Sequence, residues 1–303
     1  MEFGKLPDIT LADFRFPSDP PGNSTLWAEN PMPTSTRWYT GCTGWAMKEW
    51  VGTVYPTGTK PTDFLRQYAL QFNTIELNAT HYRVPDSDTI QKWKEQTPAD
   101  FRFCPKILQT ISHSKQLGID NGQLRVFAAA LSELEERLGP CFLQLPPYFE
   151  PSQLPVLQAF LDQWPRDLRL HIEFRHPDWF AHGGLDAHTA ALLQEKHIGT
   201  VITDVAGRRD VLHLRLTTPD ALVRFVGNDL HPSDYRRVGD WIQRAGTWFD
   251  KGLREMYFFT HEPDNMRAPA LARYVFEKIA PTQGLQTRGP VLRNAPPAQL
   301  GLF

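Results

Sequence analysis

The stretch Phe72-Asn73-Thr74-Ile75-Glu76-Leu77-Asn78 decides how this chain is read. Ile75 and Leu77 alternate with Thr74, Glu76 and Asn78, and successive side chains of a strand point to opposite faces. The apolar pair is expected to meet covering helices, which turns Glu76 and Asn78 inward. Seven more runs of this kind stand at 38–42, 101–106, 141–145, 168–174, 200–204, 221–226 and 256–260. Their starts lie roughly 20 to 40 residues apart, the spacing of successive β/α units. Helices are expected at 64–72, 122–138, 154–163, 186–196, 235–251 and 269–279. In the second of these, Leu124, Phe127, Ala128, Leu131, Leu134 and Leu138 recur at helical spacing, with Glu133, Glu135, Glu136 and Arg137 mostly opposite. Eight such units predict an α/β fold of the (β/α)8 TIM type, a single barrel over residues 38–280. A doubly wound open sheet is the competitor, but no Gly-x-Gly-x-x-Gly turn follows any of the strands.

The same alternation applies to the other strands. In the fifth, Leu170, Ile172 and Phe174 share one face, leaving His171, Glu173 and Arg175 on the other. The third groups Arg102, Cys104 and Lys106, the fourth carries Gln144 between Leu143 and Leu145, the sixth ends in Asp204, and the seventh contains Arg224. Three carboxylates (Glu76, Glu173, Asp204) and three cations (Lys106, Arg175, Arg224) are therefore expected to converge at the C-terminal mouth. Barrel enzymes place their chemistry there, and buried charge requires a partner, a ligand or water. The bland alternative is an ion-pair network that only plugs the barrel.

Composition sets limits on both readings. The 303 residues are 41% hydrophobic and 22% charged with a formal net charge of −2, which does not suggest a globally basic nucleic-acid binder. No apolar run is long enough for a bilayer, and Glu2 and Asp8 stand where a signal peptide would have a hydrophobic core, so a cytoplasmic location is expected. Cys42, Cys104 and Cys141 lack paired spacing and read as small core residues. Residues 1–37, with six prolines, read as an irregular arm, and residues 281–303 as a Pro- and Gln-rich tail.

Several motifs in order carry a resemblance. They are Gly41-Cys42-Thr43-Gly44-Trp45 with Trp50 and Tyr55-Pro56; residues 72–78 continuing to Thr80, Tyr82 and Pro85; Phe101-Arg102-Phe103 through Lys106 to Ser112-His113; Gln144-Leu145-Pro146-Pro147; and Glu173-Phe174-Arg175-His176-Pro177 with Trp179. Over about residues 38–280 the chain resembles the family called domain of unknown function 72, or YecE-like proteins. The resemblance implies a β/α barrel and no particular activity. The chain departs from the family pattern at His81, where a Phe is common, and in Phe258-Phe259-Thr260-His261-Glu262, where an Asn-rich ending is common.

Glu76 and Glu173 suit a glycosidase-type carboxylate pair among other roles, and their separation is not readable from sequence. Lys106, if desolvated, suits a base or an anion holder, and Arg175 suits a carboxylate or phosphate. His176 reads equally as a loop-orienting residue and as an acid–base group. Asp204 with His261 and a glutamate could ligate a divalent metal, but no His-x-x-x-His or His-Glu-x-x-His spacing supports it, so a metal is not favoured and the cofactor is open. Catalytic roles fall to Glu76, Lys106, Glu173 and Asp204. Ligand contacts fall to Trp45, Asn78, Tyr82, Gln144, Arg175, His176, Trp179, Arg224 and His261, with the aromatic residues reading as stacking walls or as ordinary packing.

The end of the tail, Gln299-Leu300-Gly301-Leu302-Phe303, resembles the peptide by which bacterial replication and repair proteins bind the DNA sliding clamp. Gln299 would anchor by hydrogen bonds while Leu300, Leu302 and Phe303 fill apolar pockets; the alternative is that the tail folds back on the barrel. Three functional classes follow. The leading one is an enzyme, hydrolase or isomerase, acting on a polar sugar-like or phosphorylated small molecule. The others are a clamp-tethered protein acting on nucleic acid or nucleotides, and a non-catalytic binding barrel.

Overall fold

The structure, a computed structural model, describes residues 4, 6, 8–181 and 184–293. Its elements in chain order are α1 (Gly22–Glu29), β1 (Thr36–Gly41), α2 (Phe64–Gln71), β2 (Thr74–Leu77), α3 (Ser87–Gln96), β3 (Arg102–Pro105), α4 (Gln109–Ser112), α5 (Gln123–Ser132), β4 (Cys141–Gln144), α6 (Leu154–Gln163), β5 (Leu170–Glu173), a two-residue pair β6 (Phe180–Ala181) and β7 (Gly184–Leu185), α7 (Ala187–Glu195), β8 (Gly199–Asp204), β9 (Asp220–Val226), α8 (Pro232–Phe249), β10 (Glu255–His261), α9 (Ala268–Ile279) and β11 (Leu285–Arg288). All eight strands expected from the sequence form, each within two residues of its expected ends. Among the described residues no helix is long and apolar enough to cross a membrane.

The fold is α/β with parallel strands. One sheet of seven has the order β11-β1-β10-β9-β8-β5-β4, every neighbouring pair parallel, and β2 and β3 form a second parallel pair. Individual hydrogen bonds join the two sheets: the Glu76 amide donates to Cys42 O at 3.0 Å, and the Ile107 amide to Phe142 O at 2.9 Å. Gly41 makes the first junction feasible, because a Cβ there would sit 2.3 Å from Thr74 O. Asn73 replaces ladder bonds at the same seam, its carboxamide accepting from the Thr40 amide and donating to Trp38 O.

Both faces of the strands are buried, as parallel packing demands. Ile75, Leu77, Leu170, Ile172 and Phe174 face a large core with α2, α5 and α6, and Ile202, Val223 and Phe225 a second one with α8 and α9. On the opposite strand face a smaller apolar layer gathers Tyr39, Cys104, Phe142, Val201, Leu222, Tyr257 and Phe259 from six strands. Two residues further along β3, β4, β9 and β10, on the same face, stand Lys106, Gln144, Arg224 and His261. Alternation has carried the chemistry to one level.

Three local expectations are corrected. The helix expected over 122–138 ends at Ser132 and continues as a 3-10 turn at Glu135–Arg137, which still buries Leu134 because either geometry accepts a three-residue spacing. The β8–β9 connection lacks an α-helix; its buried Leu212, Leu214 and Leu216 are covered instead by α1, from the arm expected to be irregular. Asn23 of α1 locks this cover by donating to Leu214 O and accepting from the Leu216 amide. Beyond residue 280, where a flexible tail is expected, β11 pairs with β1. The sliding-clamp-like residues Gln299, Leu300, Leu302 and Phe303 lie outside the described residues.

Candidate functional site

At the C-terminal ends of the strands, residues from six of them (β2, β3, β4, β5, β9 and β10) contribute to one hydrogen-bonded chain. Arg224 of β9 lies at its centre, donating through Nε and Nη2 to both oxygens of Glu76 (2.9 and 3.0 Å) and through Nη1 to Glu173 Oε2 (2.8 Å). On one side Glu76 accepts from Asn78 Nδ2 at 3.0 Å, and its Oε2 lies 2.9 Å from His261 Nε2. On the other, Glu173 accepts from Arg175 Nε and Gln144 Nε2, both at 2.8 Å, and Gln144 Oε1 accepts from Lys106 Nζ at 2.9 Å. Glu76, Glu173, Arg224, Lys106, Gln144 and Arg175 are all buried.

Burial pushes the carboxyl groups up, yet the guanidinium groups win. Arg224 and His261 hold Glu76 well below the usual carboxylate range, and Arg175 with Arg224 holds Glu173 at about 2. Burial, helped by the Arg224 charge, brings Lys106 down to about 8. Among the described residues, three cations (Lys106, Arg175, Arg224) and two carboxylates (Glu76, Glu173) make up the cluster, an excess of positive charge that favours an anion.

Two histidines border Lys106. His81, in the 3-10 turn after β2, points Nδ1 at Ile107 O (2.8 Å), so that nitrogen carries the proton, and burial brings the ring down to about 4. His113, after α4, lies 5.7 Å from His81 ring to ring, and burial with the Lys106 and Arg175 charges lowers it too. His81 enters the expectations only as a departure from a family pattern and His113 only as part of a motif, since neither sits on a strand whose alternation aims it.

The structure therefore brings together Glu76, Asn78, Lys106, Gln144, Glu173, Arg175, Arg224 and His261. Asp204 is not among them. It shares a strand face with Ile202 and turns toward α8, where Arg237 and Trp241 donate to it at 3.1 and 2.7 Å, joined by Arg209. Trp179 is a core residue, stacked on Phe149 and donating to Phe149 O. Trp45 is partly buried, edge-on to Trp93. His176 caps a short 3-10 turn by accepting from the Asp178 amide, and Tyr82 is exposed. The three cysteines are free and buried, and among the described residues no group of three or more His, Cys, Asp or Glu is arranged for a metal.

A cavity of about 1280 Å³ lies at the other end of the strands, lined by Arg37, Arg102, Arg169, His171, Asp220 and Glu255 among others. Its volume exceeds what its chemistry supports as a site: Arg169 is bound to Glu255 and lies 3.9 Å from Asp220, so its central cation is already shared between two carboxylates.

Fold and cluster together define a class: an α/β protein of parallel strands with a buried, cation-rich polar cluster at their C-terminal ends. The profile described as "Protein of unknown function DUF72" matches residues 39–296, and the chain belongs to that family. It is 32% identical over 262 residues to the UPF0759 protein YecE of Escherichia coli K12, covering 80% of this chain and 93% of that one. With the UPF0759 protein YunF of Bacillus subtilis it shares 28% over 153 residues, covering 47% and 52%. A solved DUF72 protein of Thermotoga maritima superposes with a TM-score of 0.64 at 24% identity, covering 80% of this chain and 99% of that one. One from Enterococcus faecalis does so at 0.64 and 17%, covering 81% and 98%.

Proposed function

We propose that this chain is an enzyme acting on a polar, sugar-like or phosphorylated small molecule, with His261 as general base. One contact carries this: His261 Nε2 stands 2.9 Å from Glu76 Oε2. An ionised carboxylate only accepts, so Nε2 holds the proton and Nδ1, which has no partner among the described residues, presents its lone pair. A carboxylate that fixes the tautomer of an imidazole is a recurrent way to prepare a base. Arg175 and Lys106 are placed to stabilise negative charge developing on the substrate. Glycoside hydrolysis by the carboxylate pair is disfavoured, since it needs one protonated member and both are held ionised by arginines. Proton-transfer chemistry of the isomerase kind fits better.

The same proposal takes the two sheets as one closed eight-stranded barrel. The hydrogen bonds from Glu76 to Cys42 and from Ile107 to Phe142 support closure at both seams, and barrels of that kind receive ligands at this end.

The test is incubation with a panel of sugars and sugar phosphates in deuterated water. At least one compound is expected to gain solvent deuterium or convert. His261→Asn is expected to slow this by about 100-fold or more while binding persists. Binding without turnover in the wild type would instead identify a non-catalytic barrel. The terminal Gln299-Leu300-Gly301-Leu302-Phe303 supports a tether to a sliding clamp as a second reading; a chain lacking residues 299–303 should then no longer be captured by the clamp.

A further inference from the structure

Lys106 is 3% exposed, and its Nζ has one partner among the described residues, the neutral amide oxygen of Gln144. An ammonium has three protons to place, and a buried charge without a counter-charge is costly. The two nearby carboxylates are already committed. Glu173 Oε1 accepts from Arg175 and Oε2 from Arg224 and Gln144, while Glu76 accepts from Arg224 on both oxygens and meets Asn78 and His261. Gln144 cannot turn either, because its Nε2 is held by Glu173. Of the groups whose charge reaches Lys106, Glu76 on β2 and Glu173 on β5 are thus occupied. Arg224 on β9 and Arg175 after β5 repel it, and His81 after β2 and His113 after β3 border it.

We infer that the ligand of this cluster carries an oxyanion, a phosphate or carboxylate group, and that the Lys106 ammonium is its seat, with His113 and Arg175 beside it. This rests on the enzyme reading above and narrows its substrate class to anionic compounds. The oxyanion supplies the counter-charge that neither carboxylate is free to give. Burial and the neighbouring cations favour the neutral rings of His81 and His113, and an incoming anion, by raising them, would add a second N–H donor to each.

The site is tested with the full chain by calorimetric titration of inorganic phosphate, acetate and sulfate at constant ionic strength. Phosphate and acetate separate a phosphate from a carboxylate preference. Sulfate keeps one charge throughout, so its pH profile reports the protein. At least one anion is expected to bind, and Lys106→Met, its folding verified by thermal melting, to weaken binding by about tenfold or more. Above about pH 8 sulfate affinity should fall roughly tenfold per unit as Lys106 loses its proton. In Lys106→Arg, which stays charged, that fall should disappear. Unchanged affinity in Lys106→Met, or a flat alkaline profile in the wild type, overturns the inference. So does binding of neutral sugars with no binding of any of the three anions, an outcome that leaves the enzyme reading standing.

Discussion

The two ends of the strands are both lined with charge, yet they differ in how that charge is matched. At the N-terminal end Arg169 meets Glu255 and, at 3.9 Å, Asp220, while the Tyr257 hydroxyl accepts from Arg169 and donates to Glu255. Arg169 keeps 41% of its side chain exposed. At the C-terminal end Arg224 keeps 4% and bridges two carboxylates that are closed to solvent, and Lys106 is left with a neutral partner. The apolar layer of Tyr39, Cys104, Phe142, Val201, Leu222, Tyr257 and Phe259 separates the ends. The lesson is that neither the presence of charge nor the size of a cavity marks a site here. A buried surplus does, because only a ligand or a proton shift can settle it.

Arg224→Met should give the largest effect. It leaves Glu76 and Glu173 buried with their shared cation gone, and breaking a buried pair from one side costs about 3–5 kcal/mol. Urea denaturation at neutral pH measures it. A loss below about 1 kcal/mol would mean that the carboxylates are wetter than the comparison requires.

Next comes the alkaline limb of stability. Lys106 has a folded-state value near 8 against 10.5 for an exposed lysine, so the folded state disfavours its charged form. Between these two values the unfolded chain binds more protons, so stability must rise with pH across that window, by about 3 kcal/mol at most. Below about 8 the full penalty applies. Lys106→Met should remove the rise and be more stable than the wild type at neutral pH in anion-free buffer. A wild-type curve that stays flat or falls over this window would show that the lysine is not desolvated.

Asp204→Asn sharpens the comparison from outside the cluster. The carboxylate is held by Arg237, Arg209 and Trp241, so weakening these charge-assisted bonds should cost about 2 kcal/mol, read by denaturation. Binding of sulfate at the Lys106 end should match the wild type. Weakened binding would tie Asp204 to the mouth after all.

Asp204 also shows where the sequence stopped being legible. The residues 74–78 and 170–175 alternate charge with aliphatic side chains, so parity alone aims Glu76, Glu173 and Arg175 correctly. In Thr200-Val201-Ile202-Thr203-Asp204 either set of alternating residues fits an apolar face, and position at the strand end suggested the mouth. The groups that decide otherwise, Arg237 and Trp241, lie 33 and 37 residues away on α8, beyond any local pattern. The same holds for α1, whose Asn23 completes the β8–β9 connection from 191 residues away. Lys106 was legible as an inward cation, but its want of a carboxylate was not, since that depends on Arg224 having taken both.

The smallest effect is expected at the opposite end, from Arg169→Met. Arg169 is the cation that Glu255 and Asp220 share, just as Glu76 and Glu173 share Arg224, so topology alone would rank the two substitutions equally. Exposure separates them. A half-exposed guanidinium exchanges its partner for water at little cost, about 1 kcal/mol or less, and its attraction is screened by added salt. Denaturation of both variants at low and high salt therefore breaks the comparison or completes it. The Arg169→Met deficit should shrink as salt rises and the Arg224→Met deficit should persist, because salt ions do not reach a pair that solvent cannot. Equal, equally screened losses would make the two ends the same kind of ion network and remove the distinction on which the C-terminal cluster stands as a site.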